Sequence, residues 1–450
     1  MRARPSHSSG SILPMSASVA LVALLSIGCN AILGNDNFRG PGGVADASSD
    51  GASGDGASVD ACTGIGCMVA NCASRSLPPT SLSGTVFAPD GALPLYNAVV
   101  YVPVAPLDPI LDGPANSACV SGAPVALTRT DVSGRFKLDN VPSVRNLPVV
   151  IQLGKWRREI TVSTVNECAD LALPASETRL PRTAAEGHLP RIAVTTGFAE
   201  CLECLVRRVG VADSEFSTGA GTGRVQLYTE PDAFTLQVAG ASIESAGALQ
   251  TRMMQYDMLL FSCDGTESIK QPAVQQILLD YVNAGGWAWL SHLQARWVAP
   301  LTPPPPPPPF PRFAQFDFLN TVQPPASVMA RLDTATPKGQ LFADWMTRVG
   351  AASSTGVMTL TSSRNTCFSV DPALAQRLVF LDPPLSSGFS GVQLFSWSPD
   401  SRGKVVYSDI PLELPNTAAT TFPGECPVEA LSPQAKMIAF QLFDQPTCVP

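Results

Sequence analysis

The chain has 450 residues, with 29 Lys plus Arg against 37 Asp plus Glu, a net charge of −8 and only 15% charged residues. An acidic chain without a basic cluster does not neutralise phosphates, so nucleic acid is not an expected partner. Three histidines are few for a zinc hydrolase, whereas twelve cysteines supply disulfides to an exported protein.

Export is what the N-terminus indicates. Arg2 and Arg4 precede "SILPMSASVALVALLSIG" (11–28), an uncharged apolar run too short and loosely apolar for a permanent span and ending on small residues. "LLSIGCN" then sets Cys29 after Ser26, Ile27 and Gly28. This resembles the lipobox of bacterial lipoprotein precursors, with Ser26 where that family usually has Leu. The resemblance implies a signal peptide over 1–28, lipidation at Cys29, and a membrane partner reached through the lipid anchor. Asn30 in place of Asp implies the outer membrane, on its periplasmic side or at the cell surface. Each buried acyl methylene contributes about 0.8 kcal/mol, so several chains hold without a spanning helix. Setting Cys29 aside leaves an odd number of cysteines, so at least one thiol remains or pairs with another chain.

Residues 29–78 read as a lipidated, disordered tether. "GPGGVADASSDGASGDGASVDAC" is Gly, Ala, Ser and Asp with almost nothing to bury. Asp46, Asp50, Asp55 and Asp60 lack the ligand order and closing Glu of a calcium loop. Cys62, Cys67 and Cys72 end the tether, in the expected form of a small disulfide knot.

Residues 79–178 carry β signals. "LSGTVFAPDG" alternates and ends in a Pro-Asp-Gly turn, and "NAVVYVPVA" is rich in β-branched residues. "TRTDVSGRFKLDNVP" gives strand, turn and strand with Gly134 placed for a positive φ, and "LPVVIQLGKWRREITV" gives a hairpin-like pair. Short strands at close spacing predict a small β-sandwich. "GTVFAPDGALPLYNAVVYV" followed by "TDVSGRFKLDNVP" resembles the carboxypeptidase regulatory-like domain, which implies a prealbumin-like sandwich and an accessory, non-catalytic module. Cys119 and Cys168 are the expected disulfide pair within it. His188, in the proline-punctuated crossing "LPASETRLPRTAAEGHLP", reads as an exposed linker residue.

From 190 to 450 strands alternate with helices. "RIAVTTG", "RVQLYTE", "YDMLLFSCDG" and "WAWLSHL" read as strands, interleaved with helices over "CLECLVRRVGV" and "QPAVQQILLDYVNAGG". "QRLVFLD", "VQLFSWS" and "GKVVYSDI" follow as strands, and "SPQAKMIAFQLFD" as a closing helix capped by Ser432. The pattern predicts a mostly parallel α/β sheet covered on both faces. "YDMLLFSCDG", a helix, then "VNAGGWAWLSHL" resembles the flavodoxin/glutamine-amidotransferase-like fold in its trehalose-utilisation branch. The whole order of lipobox, tether, sandwich and α/β domain also resembles a group of bacterial surface lipoproteins.

A glutamine amidotransferase needs a cysteine on a sharp strand-to-helix elbow with His and Glu behind it. The strand leading to that elbow offers Ser291 and His292, and Cys263 stands at the end of the neighbouring strand. Asp409, in "VVYSDIP", is a further strand-end acid, with Pro411 where the resemblance would place a histidine. Cys263, Ser291, His292 and Asp409 are therefore weak catalytic candidates. In an oxidising compartment Cys201, Cys204 and Cys263 are expected to bond among themselves, with Cys426 and Cys448 as further disulfide cysteines. Asp264, Asp409 and His292 do not amount to a convincing metal set, and no cofactor is expected. Trp287, Trp289 and Trp297 suit packing under helices or a platform for sugars, and "TPPPPPPPF" (302–310) a stiff polyproline II spacer. The expected function is that of a non-catalytic outer-membrane lipoprotein binding a glycan or an envelope protein. The alternative is a hydrolase or amidase using the strand-end crevice.

Overall fold

The structure is a computed structural model describing residues 64–445, apart from 115–118, 198, 219–220, 230–241, 245–247, 264, 300–308, 320–321, 323, 386–390, 400–401, 413–421 and 425. The signal segment, Cys29, Cys62, Asp264, Cys448, the tether acids and most of the proline run lie outside the described residues. Among the described residues no helix is long and apolar enough to cross a membrane.

Seven strands open the fold: β1 (Ser81–Thr85), β2 (Val99–Pro103), β3 (Pro124–Arg129), β4 (Arg135–Asp139), β5 (Arg145–Leu153), β6 (Trp156–Thr164) and β7 (Asp170–Ala172). They form a three-stranded sheet, β4-β1-β7, and a four-stranded sheet, β3-β2-β5-β6, with inward residues such as Leu82, Phe136, Val100 and Ile151 in one core. β3 and β4 do not pair; the turn between them carries the chain from one sheet to the other. Gly134 holds φ 74°, and a Cβ there would sit 2.9 Å from the Val86 carbonyl oxygen, so only glycine fits.

The second part follows as β8 (Ile192–Thr196), α1 (Leu202–Arg208), β9 (Phe216–Thr218), β10 (Val225–Thr229), α2 (Leu249–Met253), β11 (Met258–Phe261), α3 (Pro272–Asn283) and β12 (Trp287–Ser291). Next come β13 (Ala314–Phe316), β14 (Ser327–Leu332), α4 (Pro337–Arg348), β15 (Val357–Thr361), β16 (Cys367–Val370), β17 (Ala375–Leu381), β18 (Val392–Trp397), β19 (Lys404–Ser408) and α5 (Pro433–Phe443). Ten of these strands form one sheet in the order β15-β14-β17-β18-β19-β12-β11-β8-β10-β9, and β13 and β16 make a separate ribbon. From β9 to β19 neighbours run parallel, and from β19 to β15 they run antiparallel. Among the described residues the sheet thus has five parallel and four antiparallel neighbour pairs, so the parallel expectation describes one half of it. Only the βαβ-like portion is parallel; β17 and β18 are joined without a crossover helix and return antiparallel.

The central strands β8, β11 and β12 are buried on both faces, which is why they read as continuous apolar runs, whereas β14 and β15 at the antiparallel edge alternate buried and exposed residues. Along β12, Trp287 and Trp289 join the core shared with α1, α4, α5 and the seven-stranded part, while Ala288 and Leu290 join the core under α3. Trp287, Trp289 and Trp297 are 5%, 0% and 0% exposed, so they are core residues and not platforms for sugars. α5 starts as its sequence dictates: Ser432 accepts from the Ala435 N–H, and Pro433 occupies the first turn.

The described residues make one compact unit, and its largest core draws on both parts, with members from Leu82 to Phe443. Polar contacts tie the two parts as well. Lys155, in the β5–β6 turn, reaches Asp257 at the start of β11, with Nζ 2.6 Å from Oδ1. His188 is not the exposed linker residue expected. Its backbone pairs with Arg157, its Nδ1 lies 2.6 Å from the Lys155 carbonyl oxygen, and burial lowers its pKa. The crossing segment lies down on β6, so its histidine is half-buried.

The disulfides also differ from expectation. Cys168 is bonded to Cys72, with Cα atoms 5.5 Å apart, and not to Cys119, which is itself disulfide-bonded, as is Cys67. The three cysteines at the tether's end thus do not form a closed knot among themselves: Cys72 staples the chain entry to Cys168, just before β7. Cys204 is bonded to Cys426, 222 residues away, and Cys201, Cys263 and Cys367 are thiols. Helix α1 turns Cys204 toward Phe422 and Cys426, away from the end of β11.

Candidate functional site

The carboxyl ends of β8, β11, β12 and β19 lie side by side, next to the point where the connection from β10 crosses back over β8 to β11. Crevices in α/β sheets form at such switch points. Here a crevice of about 110 Å³ is lined by Glu200, Cys263, Ser291, His292, Arg364, Ser408 and Ile410, among others.

The elbow is built locally. Helix α3 ends on Gly285 at φ 108°, whose left-handed conformation stops the helix and lets the chain enter β12. After the five buried residues of β12 the chain turns sharply into a 3₁₀ segment, His292–Trp297, and His292 at that corner has φ 46°. A left-handed non-glycine residue costs on the order of 1–3 kcal/mol, and such strain collects at functional corners. The strand thus ends in a sharp elbow with a histidine at its tip. The sulfur comes from the next strand: Cys263 Sγ is 3.4 Å from His292 Nδ1. The expectation that Cys263 is disulfide-bonded to Cys201 or Cys204 is corrected by this placement.

Burial lowers the His292 pKa to about 4, and the positive charge of Arg364 adds to the effect. His292 is therefore neutral at pH 7, and its Nδ1 is able to accept the thiol proton when Nε2 carries the hydrogen. Glu200 sits beneath the pair, wholly buried in the loop between β8 and α1. Its Oε1 accepts from the Cys263 N–H at 2.8 Å, its Oε2 from the Leu412 N–H at 3.3 Å, and the Ser291 hydroxyl bonds to it as well. Burial raises the Glu200 pKa while these donors oppose the rise. Glu200 does not stand behind the imidazole as in a hydrolase triad; it ties together the backbone of Cys263 and the residue preceding His292.

Ser291 is engaged otherwise than as a nucleophile, since its Oγ takes the Trp289 Nε1–H at 2.8 Å and it serves Glu200. Asp409 lies outside the crevice lining. Its Oδ2 accepts the N–H groups of Thr366 and Cys367, both at 2.8 Å, and its Oδ1 the Tyr407 hydroxyl at 2.7 Å. Burial raises its pKa to about 6. Its work is to hold the segment that carries Arg364. Of the four sequence candidates, the fold brings Cys263 and His292 into contact, sets Ser291 behind them, and places Asp409 beneath a neighbouring loop. Among the described residues no group of three His, Cys, Asp or Glu side chains is arranged to hold a metal ion.

Glu200 and Arg364 were missed by sequence reasoning. "TTGFAEC" does put an acid just past a buried strand end, the one signal that marks Glu200; Arg364 in "TSSRNTC" has none.

The buried neutral imidazole makes stability pH-dependent. With a folded pKa near 4 against an ordinary 6.5, the unfolded chain binds the proton first as pH falls. Stability from this residue is complete above pH 6.5 and drains as pH drops through 4. Asp409 has the opposite sign, losing stability as pH rises from 3.8 through 6. Urea titrations of the wild type and His292→Asn between pH 4 and 7 separate the two. The variant is expected to lose a slope on the order of 2 kcal/mol, discounted for the partial exposure of the ring. Equal slopes in both proteins would mean that His292 is not buried as a neutral ring.

No family model matches this chain, and no curated protein matches it. Two solved structures match over 33% of this chain and 80% of theirs: an N-terminal-interface and a C-terminal-interface mutant of the type II cohesin–X-dockerin complex from Acetivibrio cellulolyticus. Identity is 14% and 15%, with a TM-score of 0.16 for both, a likeness too slight to carry a fold or a partner over.

Proposed function

We propose that this is an exported lipoprotein, anchored in the outer membrane through Cys29, whose α/β part is a cysteine-dependent hydrolase or amidase. The observation that carries the reading is the Cys263 Sγ to His292 Nδ1 contact of 3.4 Å inside a crevice at parallel strand ends. The flavodoxin/amidotransferase-like reading of the parallel strands and the prealbumin-like reading of the seven-stranded part belong to the same proposal, the latter as an accessory module.

Cys263 sulfur attacks the carbonyl carbon of an ester or amide as the thiol proton passes to His292 Nδ1. When the C–O or C–N bond breaks, His292 returns that proton to the departing alcohol or amine. Water then attacks the thioester, giving the acid and restoring the thiol. Glu200 is a positioning residue for both partners and touches no reacting atom.

A second reading keeps the same face as a binding site for a glycan or an envelope protein. It is favoured by a wider groove of about 720 Å³ beside the crevice, lined by Thr359, Thr361, Ser362, Ser363 and Ser432. Hydroxyl-lined walls suit a polar ligand. Incubating the purified full-length chain with a panel of activated esters separates the readings. Turnover lost in Cys263→Ser supports the hydrolase; binding without turnover supports the second reading.

The anchor is tested independently. In cells fed radioactive palmitate, Cys29→Ala is expected to lose the label and to retain its signal peptide. Equal labelling of wild type and variant would remove the lipoprotein proposal and leave the crevice untouched.

A further inference from the structure

The crevice and the wider groove share three lining residues, Ala199, Arg364 and Pro411. Among the described residues Arg364 is the only charged residue lining the groove, in a chain whose net charge is −8. Its backbone is fixed on both sides: its N–H donates to the Asp409 carbonyl at 2.7 Å, and its own carbonyl accepts from Gln393 Nε2 at 2.8 Å. The side chain is exposed, and among the described residues its guanidinium makes no hydrogen bond or ion pair. The acid lining the crevice, Glu200, turns its oxygens to Cys263, Leu412 and Ser291. A cation on a backbone-anchored side chain thus stands at the junction of the two cavities, close enough for its charge to reach His292.

We propose that Arg364 selects the substrate of the Cys263 centre, drawing in a molecule that bears a carboxylate or similar anionic group and holding it where the groove meets the crevice. The inference rests on the reading of Cys263 and His292 as a thiol centre. Guanidinium forks bind carboxylates in two parallel hydrogen bonds, which fixes direction as well as affinity. The anion would rest at Arg364 with the rest of the molecule along the hydroxyl-lined groove. Its electrophilic carbon, a short distance from the anionic group, would point at Cys263.

Two alkylating probes of similar size, anionic iodoacetate and neutral iodoacetamide, test this on the full-length protein. In each reaction an S–C bond forms at Cys263, iodide leaves with the C–I electron pair, and the thiol proton goes to His292. The iodoacetate-to-iodoacetamide rate ratio at Cys263 is expected to exceed that of N-acetylcysteine by about tenfold at low salt, because a cleft whose described residues hold the Arg364 charge without an ion-pair partner concentrates counter-ions. It should fall to the reference value in Arg364→Gln and stay partly raised in Arg364→Lys. Should Arg364→Gln not fold, added salt compressing the wild-type ratio, together with Arg364→Lys, decides the matter. If iodoacetamide leaves Cys263 unmodified, the thiol centre falls and the proposal falls with it. If iodoacetamide reacts but the ratio matches N-acetylcysteine, or is the same in wild type and Arg364→Gln, the proposal alone is overturned.

Discussion

Lys155→Met will destabilise the protein by about 3–5 kcal/mol, the usual cost of leaving one member of a buried ion pair without its partner. Lys155 and Asp257 side chains are 9% and 3% exposed, and Nζ also donates to the Leu111 carbonyl at 2.9 Å and to that of Gly113. Asp257 Oδ2 takes the Arg191 N–H as well. Burial raises the Asp257 pKa and Lys155 opposes the rise, so removing the ammonium leaves a carboxylate with little solvent. Asp257→Asn on the same background keeps an acceptor for Arg191 and removes the stranded charge. The double variant should therefore recover much of the loss, a coupling read from a double-mutant cycle of urea midpoints at unchanged slope. A single-variant loss below about 1 kcal/mol would place the pair in solvent-like surroundings. Because Lys155 belongs to the seven-stranded part and Asp257 to the ten-stranded sheet, the same experiment measures how firmly the two parts are joined.

His292→Ala is expected to slow alkylation of Cys263 by about 10²-fold or more at pH 7, the lower end of what a positioned base contributes. With the imidazole titrating near pH 4, the wild-type rate should hold as pH is lowered from 7 to 5 and fall only as His292 takes up its proton. An unassisted thiol instead loses about tenfold per pH unit across that range, since only the thiolate reacts. The profile thus distinguishes a paired cysteine from a merely accessible one. Glu200→Gln retains acceptors for the Cys263 and Leu412 N–H groups and should change the rate far less than His292→Ala.

Elements with local chemical signals were legible from the sequence. Ser432 with Pro433 marks the start of α5, and the Gly285–Gly286 pair marks the end of α3 and the entry to β12. Helix α4 was absent from the expected elements although Thr336 accepts from the Gly339 N–H and Pro337 follows it, the same cap chemistry as at Ser432. What the sequence does not encode locally is which element meets which. The antiparallel half of the sheet depends on β17 pairing with β14 across the intervening α4, β15 and β16, a partnership that no local signal in either strand announces. Disulfide partners are of the same kind: Cys204 and Cys263 follow neighbouring strands in the sequence pattern, yet one faces Cys426 and the other His292. Glu200 was hidden because a single acid after a strand reads as a solvated loop residue until three donors are found around it.

The central claim is that Cys263 is a thiol working with His292, and peptide mapping of alkylated cysteines tests it most directly. Purified, non-reduced full-length protein is treated with iodoacetamide at neutral pH, and the labelled peptides are identified by mass spectrometry. Cys263 should carry the label and lose most of it in His292→Ala, while Cys367, wholly buried with its pKa pushed well up, stays unlabelled. Recovery of Cys263 only after reduction, in a peptide cross-linked to Cys201 or Cys204, would contradict the account.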